Sequence, residues 1–264
     1  MAGNEKPVAV PMPAATILLL RDAPGGLEVF MVKRHHQIDF VAGALVFPGG
    51  KVESGDADAA LAEFLDGGED WTDTMRAMGA GAIREAFEES GILLARDTTH
   101  GGFVTGERLA QLQHYRELLE KRATALADVL RQEGLRLALD QLVHFAHWIT
   151  PENMPKRFDT HFFLASSPIG HAGSHDGRES VDSVWISPNV AISDAKKWNV
   201  IFPTKLNLMK LDNSRTVEQA IATARSVQVL PVTPWIENSA RGQILRIRDD
   251  AGYTQTSANM REAL

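Results

Sequence analysis

Three glutamates, Glu85, Glu88 and Glu89, stand in the run Arg84-Glu85-Ala86-Phe87-Glu88-Glu89-Ser90-Gly91-Ile92. On a helix, residues three and four apart share one face with their Cβ atoms about 5–6 Å apart, so this spacing predicts three carboxylates gathered on one side. At an effective dielectric near 20, each pair at roughly 5 Å repels by about 3 kcal/mol, so the cluster calls for positive charge. Arg84 can pair with part of it and is expected to orient a glutamate through a two-pronged contact. A hard divalent cation accepts several carboxylate oxygens at once, which makes Mg2+ or Mn2+ the natural cofactor. Taken alone, the same run also reads as a solvated acidic helix face.

The elements that must position these side chains follow from capping signals and periodicity. Thr72 can cap a helix that runs through Met75, Met78, Ile83, Ala86 and Phe87 to Gly91, a good left-handed terminator. Upstream, the apolar runs 14–20 and 27–32, separated by Asp22-Ala23-Pro24-Gly25-Gly26, predict a hairpin, and residues 44–47 a third short strand. Pro48-Gly49-Gly50 predicts a bend, followed by a loop to Gly55 and a helix starting near Asp56 that Gly67-Gly68 ends. Residues 1–13, with Pro7, Pro11 and Pro13, read as an irregular arm. Downstream, residues 92–94 read as a strand, and the apolar spacing of 109–130 as a helical hairpin, its leucines serving as core or as a lid. Strands are expected at 142–149, 157–166 and 181–186, and helices at 188–197, 203–212 and 216–226. A closing hairpin is expected from 244–247 and 253–256 around Asp249-Asp250-Ala251-Gly252.

Composition narrows the partners. The 264 residues are 44% hydrophobic and 23% charged, with a formal charge of −7, which argues against nucleic acid and against an anionic membrane surface as partners. With no cysteine, thiolate metal sites, disulfides and cysteine nucleophiles are excluded, and any metal is left to oxygen or imidazole ligands. The run 14–20 is too short to span a bilayer, and the segment before it lacks the basic start of a secretory signal. The last four residues, Arg261-Glu262-Ala263-Leu264, do not match the Ser-Lys-Leu peroxisomal address. The expectation is a cytoplasmic protein with one domain over 14–264; the sequence leaves its oligomeric state open, a homodimer included.

The acidic run resembles the closing half of the Nudix signature, which Arg84, Glu85, Glu88, Glu89, Gly91 and Ile92 match, while Gly50 matches its opening glycine. Asp56 stands where the family has its first glutamate, and Ala86 where a larger apolar residue is usual. Asp56 and Arg84 are separated by 27 residues where the pattern has seven, so the signature is split by an insertion of about 20 residues. A split of this kind resembles the coenzyme A diphosphatase branch of the Nudix hydrolases. That resemblance also covers Phe47-Pro48-Gly49-Gly50, the helical insertion, Trp148-Ile149-Thr150-Pro151 and the run from Arg157 to Phe163, extending over most of residues 14–212.

The resemblance implies an α+β fold, an α/β/α sandwich of Nudix type with a mixed β-sheet and helical insertions near 57–83 and 106–140. It implies catalytic Arg84, Glu85, Glu88 and Glu89, metal held by the three glutamates and Gly50, and a small nucleotide-derived substrate, coenzyme A or an acyl-coenzyme A. Another nucleoside diphosphate derivative, such as ADP-ribose or a dinucleotide, is the alternative substrate; a silent nucleotide sensor is the alternative function, although such members usually lose the glutamates. Gly49 and Gly50 would let the backbone approach metal and phosphates. Lys33, Arg34, His35, His36 and Lys51 follow or flank strands where they could meet anionic groups of the substrate, or form an ordinary solvated strand end. Arg157 and Asp159 flank Phe158 on one strand face and are pocket residues or a structural ion pair. Glu179 precedes the strand at 181–186, where some members place an accessory base, and otherwise reads as a solvated loop carboxylate. His144 and His147 show no metal-ligand spacing with the acidic run and read as structural.

Overall fold

The computed structural model describes residues 8–35, 43–240 and 242–260. His36 and the first seven residues of the expected arm lie outside them. In chain order, β1 (Met12–Ala23) and β2 (Gly26–Arg34) form the expected hairpin, and β3 (Leu45–Val46) and β4 (Gly49–Lys51) follow. β1 and β2 pair only near their turn, from Leu20↔Val29 to Ala23↔Gly26. Further out, β3 pairs with β2 and β4 with β1, so residues 45–51 fill the wedge between the two strands.

Where a single helix from Asp56 is expected, two short 3-10 turns, Ser54–Ala57 and Ala59–Phe64, lead to β5 (Leu65–Asp66). The first turn is closed by a reciprocal cap between Glu53 and Asp56, the second by Asp58 accepting from the Ala60 N–H, and each cap restarts the chain before a longer helix can grow. Then comes α1 (Asp73–Ser90), bounded as expected by Thr72, whose hydroxyl accepts from the Met75 N–H, and by left-handed Gly91 at φ 69°. The strand expected at 92–94 is displaced to β6 (Ala95–Asp97). Residues 106–134 form not a hairpin but three helices, α2 (Gly106–Leu112), α3 (Tyr115–Glu120) and α4 (Leu126–Glu133). Arg122 at φ 54° turns the chain between the last two. β7 (Leu135–Ala138) pairs with β5 and β6 in a small three-stranded sheet, a strand that its Leu-Arg-Leu-Ala sequence signalled only weakly.

β8 (Val143–Ile149), β9 (Phe158–Ser166) and β10 (Ser180–Ile186) appear where expected, followed by α5 (Pro188–Ser193), α6 (Ala195–Trp198), α7 (Phe202–Leu211) and α8 (Val217–Ser226). Past β11 (Pro231–Val232), the C-terminal hairpin is β12 (Trp235–Ser239) with β13 (Gly242–Arg246), and β14 (Ser257–Asn259) joins β13 in place of the expected strand at 253–256. Among the described residues, the main sheet is mixed and has eight strands, in the order β10-β2-β1-β9-β8-β11 with β3 and β4 attached.

Both faces of this sheet are covered. Ala15, Ile17 and Leu19 of β1 face a core built with α1 and the segment 92–142, while Leu18 and Leu20 face a second core built with α5, α7 and α8. Burial on both faces explains why β1 reads as a continuous apolar run, and the arrangement is the expected α+β, α/β/α sandwich. α1 is pressed onto β1 and β4, with Ile83, Ala86 and Phe87 in the core, leaving Glu85, Glu88 and Glu89 along its margin. Since Thr72 fixes where that helix begins, Thr72→Ala is expected to lower the unfolding free energy by about 1 kcal/mol in a denaturant titration.

Candidate active site

Arg84 sits at the centre of the acidic cluster, buried to 6% exposure. Its Nε donates to Asp56 Oδ1 at 2.9 Å and Nη2 to Asp56 Oδ2 at 3.0 Å, a two-pronged contact with the residue on the far side of the insertion. Nη1 faces Glu88 Oε1 at 3.1 Å and Glu85 Oε1 at 3.0 Å, and Nη2 also donates to the Lys51 carbonyl at 2.8 Å. The two-pronged pair therefore goes to Asp56 and not to a glutamate, while the glutamates share the remaining side of the guanidinium. Asp56 Oδ2 further accepts from the Glu53 N–H at 2.8 Å.

The other carboxylates meet β4. Glu89 accepts from the Gly49 N–H at 2.9 Å. A Cβ on Gly50 would stand 2.6 Å from Glu85 Oε1, and one on Gly49 would stand 2.5 Å from Thr16 Oγ1 and 2.6 Å from the Ala15 carbonyl. The two glycines form a strand and not the expected bend; close approach, rather than a special backbone angle, is what demands them.

Three carboxylates, from Asp56, Glu85 and Glu88, thus converge on Arg84, while Glu89 lies against the Gly49 N–H and feels the charges of Glu85 and Arg34. Burial pushes the Glu85 carboxyl up to about 8, opposed by Arg84 and reinforced by the charges of Glu88 and Asp56. Burial likewise lifts Glu88 to about 7 against the pull of Arg84. Glu89 is held well above the usual carboxylate range by burial and then by Glu85, with the Gly49 N–H and Arg34 pulling the other way. Burial weakens the charge on Arg84, but its bond to Asp56 and the charges of Glu85, Asp56 and Glu88 outweigh that and raise its pKa. Oxygen donors in excess of positive charge, beside a glycine whose missing side chain leaves room, suit a hard divalent cation.

The substrate-binding candidates divide. Arg34 lies on the α1 face of β2, and its Nε is buried with no hydrogen-bond partner. Lys33 is its neighbour on the strand and so faces the opposite side, where its cross-strand partner is Leu45. Lys33 is therefore not brought to the carboxylates. Lys51 contributes its carbonyl to Arg84 while its side chain is exposed. Glu179 is exposed just before β10, as expected, and close enough for its charge to raise Glu89. Arg157 is buried and donates to the carbonyls of Thr150 and Ala9, where it pins the arm. Asp159 instead meets His147, beside His161 and His144, a grouping not expected from the sequence. Burial and the neighbouring histidines hold His144 and His161 at about 4.

A buried Arg-carboxylate hub on a helix packed against a glycine strand, within this sandwich, defines a Nudix-type protein. The family model described as the NUDT19 Nudix domain matches residues 72–207, and the chain belongs to that family. The match begins at the cap of α1, so Gly50 and Asp56 lie before it. The chain is 27% identical over 215 residues to the acyl-coenzyme A diphosphatase NUDT19 of Xenopus laevis, covering 67% of this chain and 57% of that protein. It is 26% identical over 241 residues to the protein of the same name in Gallus gallus, covering 71% and 64%. The chain thus spans less than two thirds of the length of either relative. The crystal structure of a NUDIX hydrolase from Alicyclobacillus acidocaldarius, 29% identical, superposes with a TM-score of 0.70 over 81% of this chain and 96% of that one. No helix among the described residues is long and apolar enough to cross a membrane.

The raised carboxyl groups tie the site to stability. Glu85 and Glu88 hold their protons more tightly folded, at about 8 and about 7, than at the ordinary value of 4.5. Their stabilising contribution is full below about pH 4.5 and is lost as pH rises through 7 and 8. Thermal melts in chelator are expected to show the midpoint falling between pH 5.5 and 8.5, and the Glu85→Gln/Glu88→Gln double variant to flatten that fall. An unchanged slope in the variant would remove these two groups from the account.

Proposed function

We propose that this chain is a divalent-cation-dependent hydrolase of coenzyme A or acyl-coenzyme A, splitting the diphosphate into adenosine 3′,5′-bisphosphate and (acyl-)phosphopantetheine. The observation that carries the reading is the convergence of Asp56, Glu85 and Glu88 on Arg84, with Glu89 beside them on the Gly49 N–H and side-chain-free Gly50 against Glu85. Such a surplus of buried oxygen donors is costly without a cation and useful with one. The names of the relatives, acyl-coenzyme A diphosphatases, support the substrate class.

In this reading Glu85, Glu88 and Glu89, with the backbone of Gly50, hold Mg2+ or Mn2+. When bound, the ion supplies charge neutralisation at the phosphoryl oxygens and lowers the pKa of water. Arg84 keeps Glu85 and Glu88 aimed, with Asp56 fixing the guanidinium from behind and the Gly49 N–H holding Glu89. Arg34, its Nε unspent, is the candidate to contact the diphosphate, and the Gly49–Gly50 backbone allows the phosphates to come close. Glu179, exposed at the edge of β10, is the candidate accessory base that takes a proton from the attacking water. Water forms a new P–O bond as the P–O–P bridge breaks, and each product leaves with one phosphate of the original pair.

Purified protein incubated with coenzyme A is expected to release adenosine 3′,5′-bisphosphate only when Mg2+ or Mn2+ is added, and Glu88→Gln to lower kcat by at least about 10²-fold. Product-resolved chromatography over coenzyme A esters, ADP-ribose and dinucleotides checks both points. Preference for ADP-ribose or a dinucleotide would overturn the substrate, and full turnover by the Glu88→Gln protein would overturn the catalytic assignment.

A further inference from the structure

We infer that His147, Asp159 and His161 form a second cation site, suited to a borderline transition metal such as Zn2+ or Co2+ and separate from the carboxylates of α1. One ligand atom from each of the three residues falls within 4.8 Å of the other two. His147 Nε2 contacts Asp159 Oδ1, and His161 Nε2 lies 4.0 Å from the same oxygen. The His147 and His161 rings stack with centroids 4.0 Å apart, so both imidazoles stand on the same side beside Asp159. Two imidazoles and one carboxylate are the donor set of three-ligand zinc sites, which keep a fourth position open. The three side chains are 17%, 36% and 16% exposed, leaving a way in for an ion while part of their hydration is already gone.

The backbone builds this cluster deliberately. His147 and His161 are cross-strand partners on β8 and β9, and the register of that pair shifts between His144 and Ala146. The bulge puts both Phe145 and Ala146 into the core of α7 and α8 and returns His144 to the face occupied by His147 and His161. His144 Nε2 lies 3.0 Å from His161 Nδ1. The site requires the tautomer in which His161 Nδ1–H donates to His144 Nε2, since that leaves His161 Nε2 with its lone pair on the side of Asp159 and His147. A ligating histidine oriented by its second nitrogen in this way is the usual support of an imidazole–metal bond.

The site is distinct from the glutamates. Gly50, Ala15, His161 and His147 form one cross-strand row over β4, β1, β9 and β8. His161 is two strands from Gly50, about 10 Å at the usual strand spacing, and among the described residues no glutamate of α1 joins the group of His147, Asp159 and His161. The inference therefore stands whether or not the proposed hydrolysis does.

The test is a Co2+ titration of the full chain in excess Mg2+, followed by visible absorption, with bound metal counted after dialysis. Nitrogen ligation at low coordination number gives strong visible bands, whereas six oxygen ligands give weak ones, so the two sites are told apart. The expected result is one equivalent of strongly absorbing Co2+, displaced by Zn2+. Asp159→Asn and His161→Gln should lose it, His144→Phe should weaken it by about 10–100-fold, and Glu85→Gln should leave it unchanged. Wild-type protein without these bands, bands that survive in His161→Gln, or bands lost in Glu85→Gln would each overturn the site. Should a variant fail to fold, the wild-type spectrum and stoichiometry decide.

Discussion

The two-pronged contact between Arg84 and Asp56 is the interaction on which the site depends. It joins a 3-10 turn after β4 to the middle of α1 across the inserted residues, and both partners are buried. A buried ion pair of this kind is weak as a source of net stability, since desolvation offsets the attraction, but breaking it leaves a stranded charge. What it provides is register. With Asp56 holding one edge of the guanidinium, Nη1 is left for Glu85 and Glu88.

Around that pair the fold works to keep α1 in place. Gly49 and Gly50 bring β4 against the helix closer than a side chain would permit, and the Gly49 N–H is spent on Glu89. At the other end of the helix, Arg116 of α3 donates to the Glu88 carbonyl at 3.1 Å and to the Ser174 carbonyl at 2.9 Å. A cation there complements the negative end of the helix and ties the α2–α4 segment to the glutamate-bearing turn. The insertions thus buttress the site.

Much of this was legible in the residues. The caps at Thr72 and Gly91, the two-sided apolar run of β1 and the spacing of the glutamates each carry a local physical signal, and each matches the structure. Sequence reading failed where the outcome depends on contacts between distant segments. Glycines 49 and 50 look like a bend until β1 and α1 are seen on either side of them. The bond of Arg157 to the Ala9 carbonyl, across 148 residues of chain, has no local signal at all. Lys33 and Arg34 look equivalent until the strand sends them to opposite faces. His144 and His147, three residues apart, fall on opposite faces of a regular strand, and only the bulge at residue 145 gathers them.

The account's central claim is that the glutamates of α1 face one another because a hard cation belongs between them. Anomalous diffraction from crystals soaked in Mn2+ tests it most directly. The account predicts a peak within bonding distance of oxygens from at least two of Glu85, Glu88 and Glu89, near the Gly50 backbone. Well-diffracting crystals with no peak there, the carboxylates paired only with Arg84 and water, would contradict it.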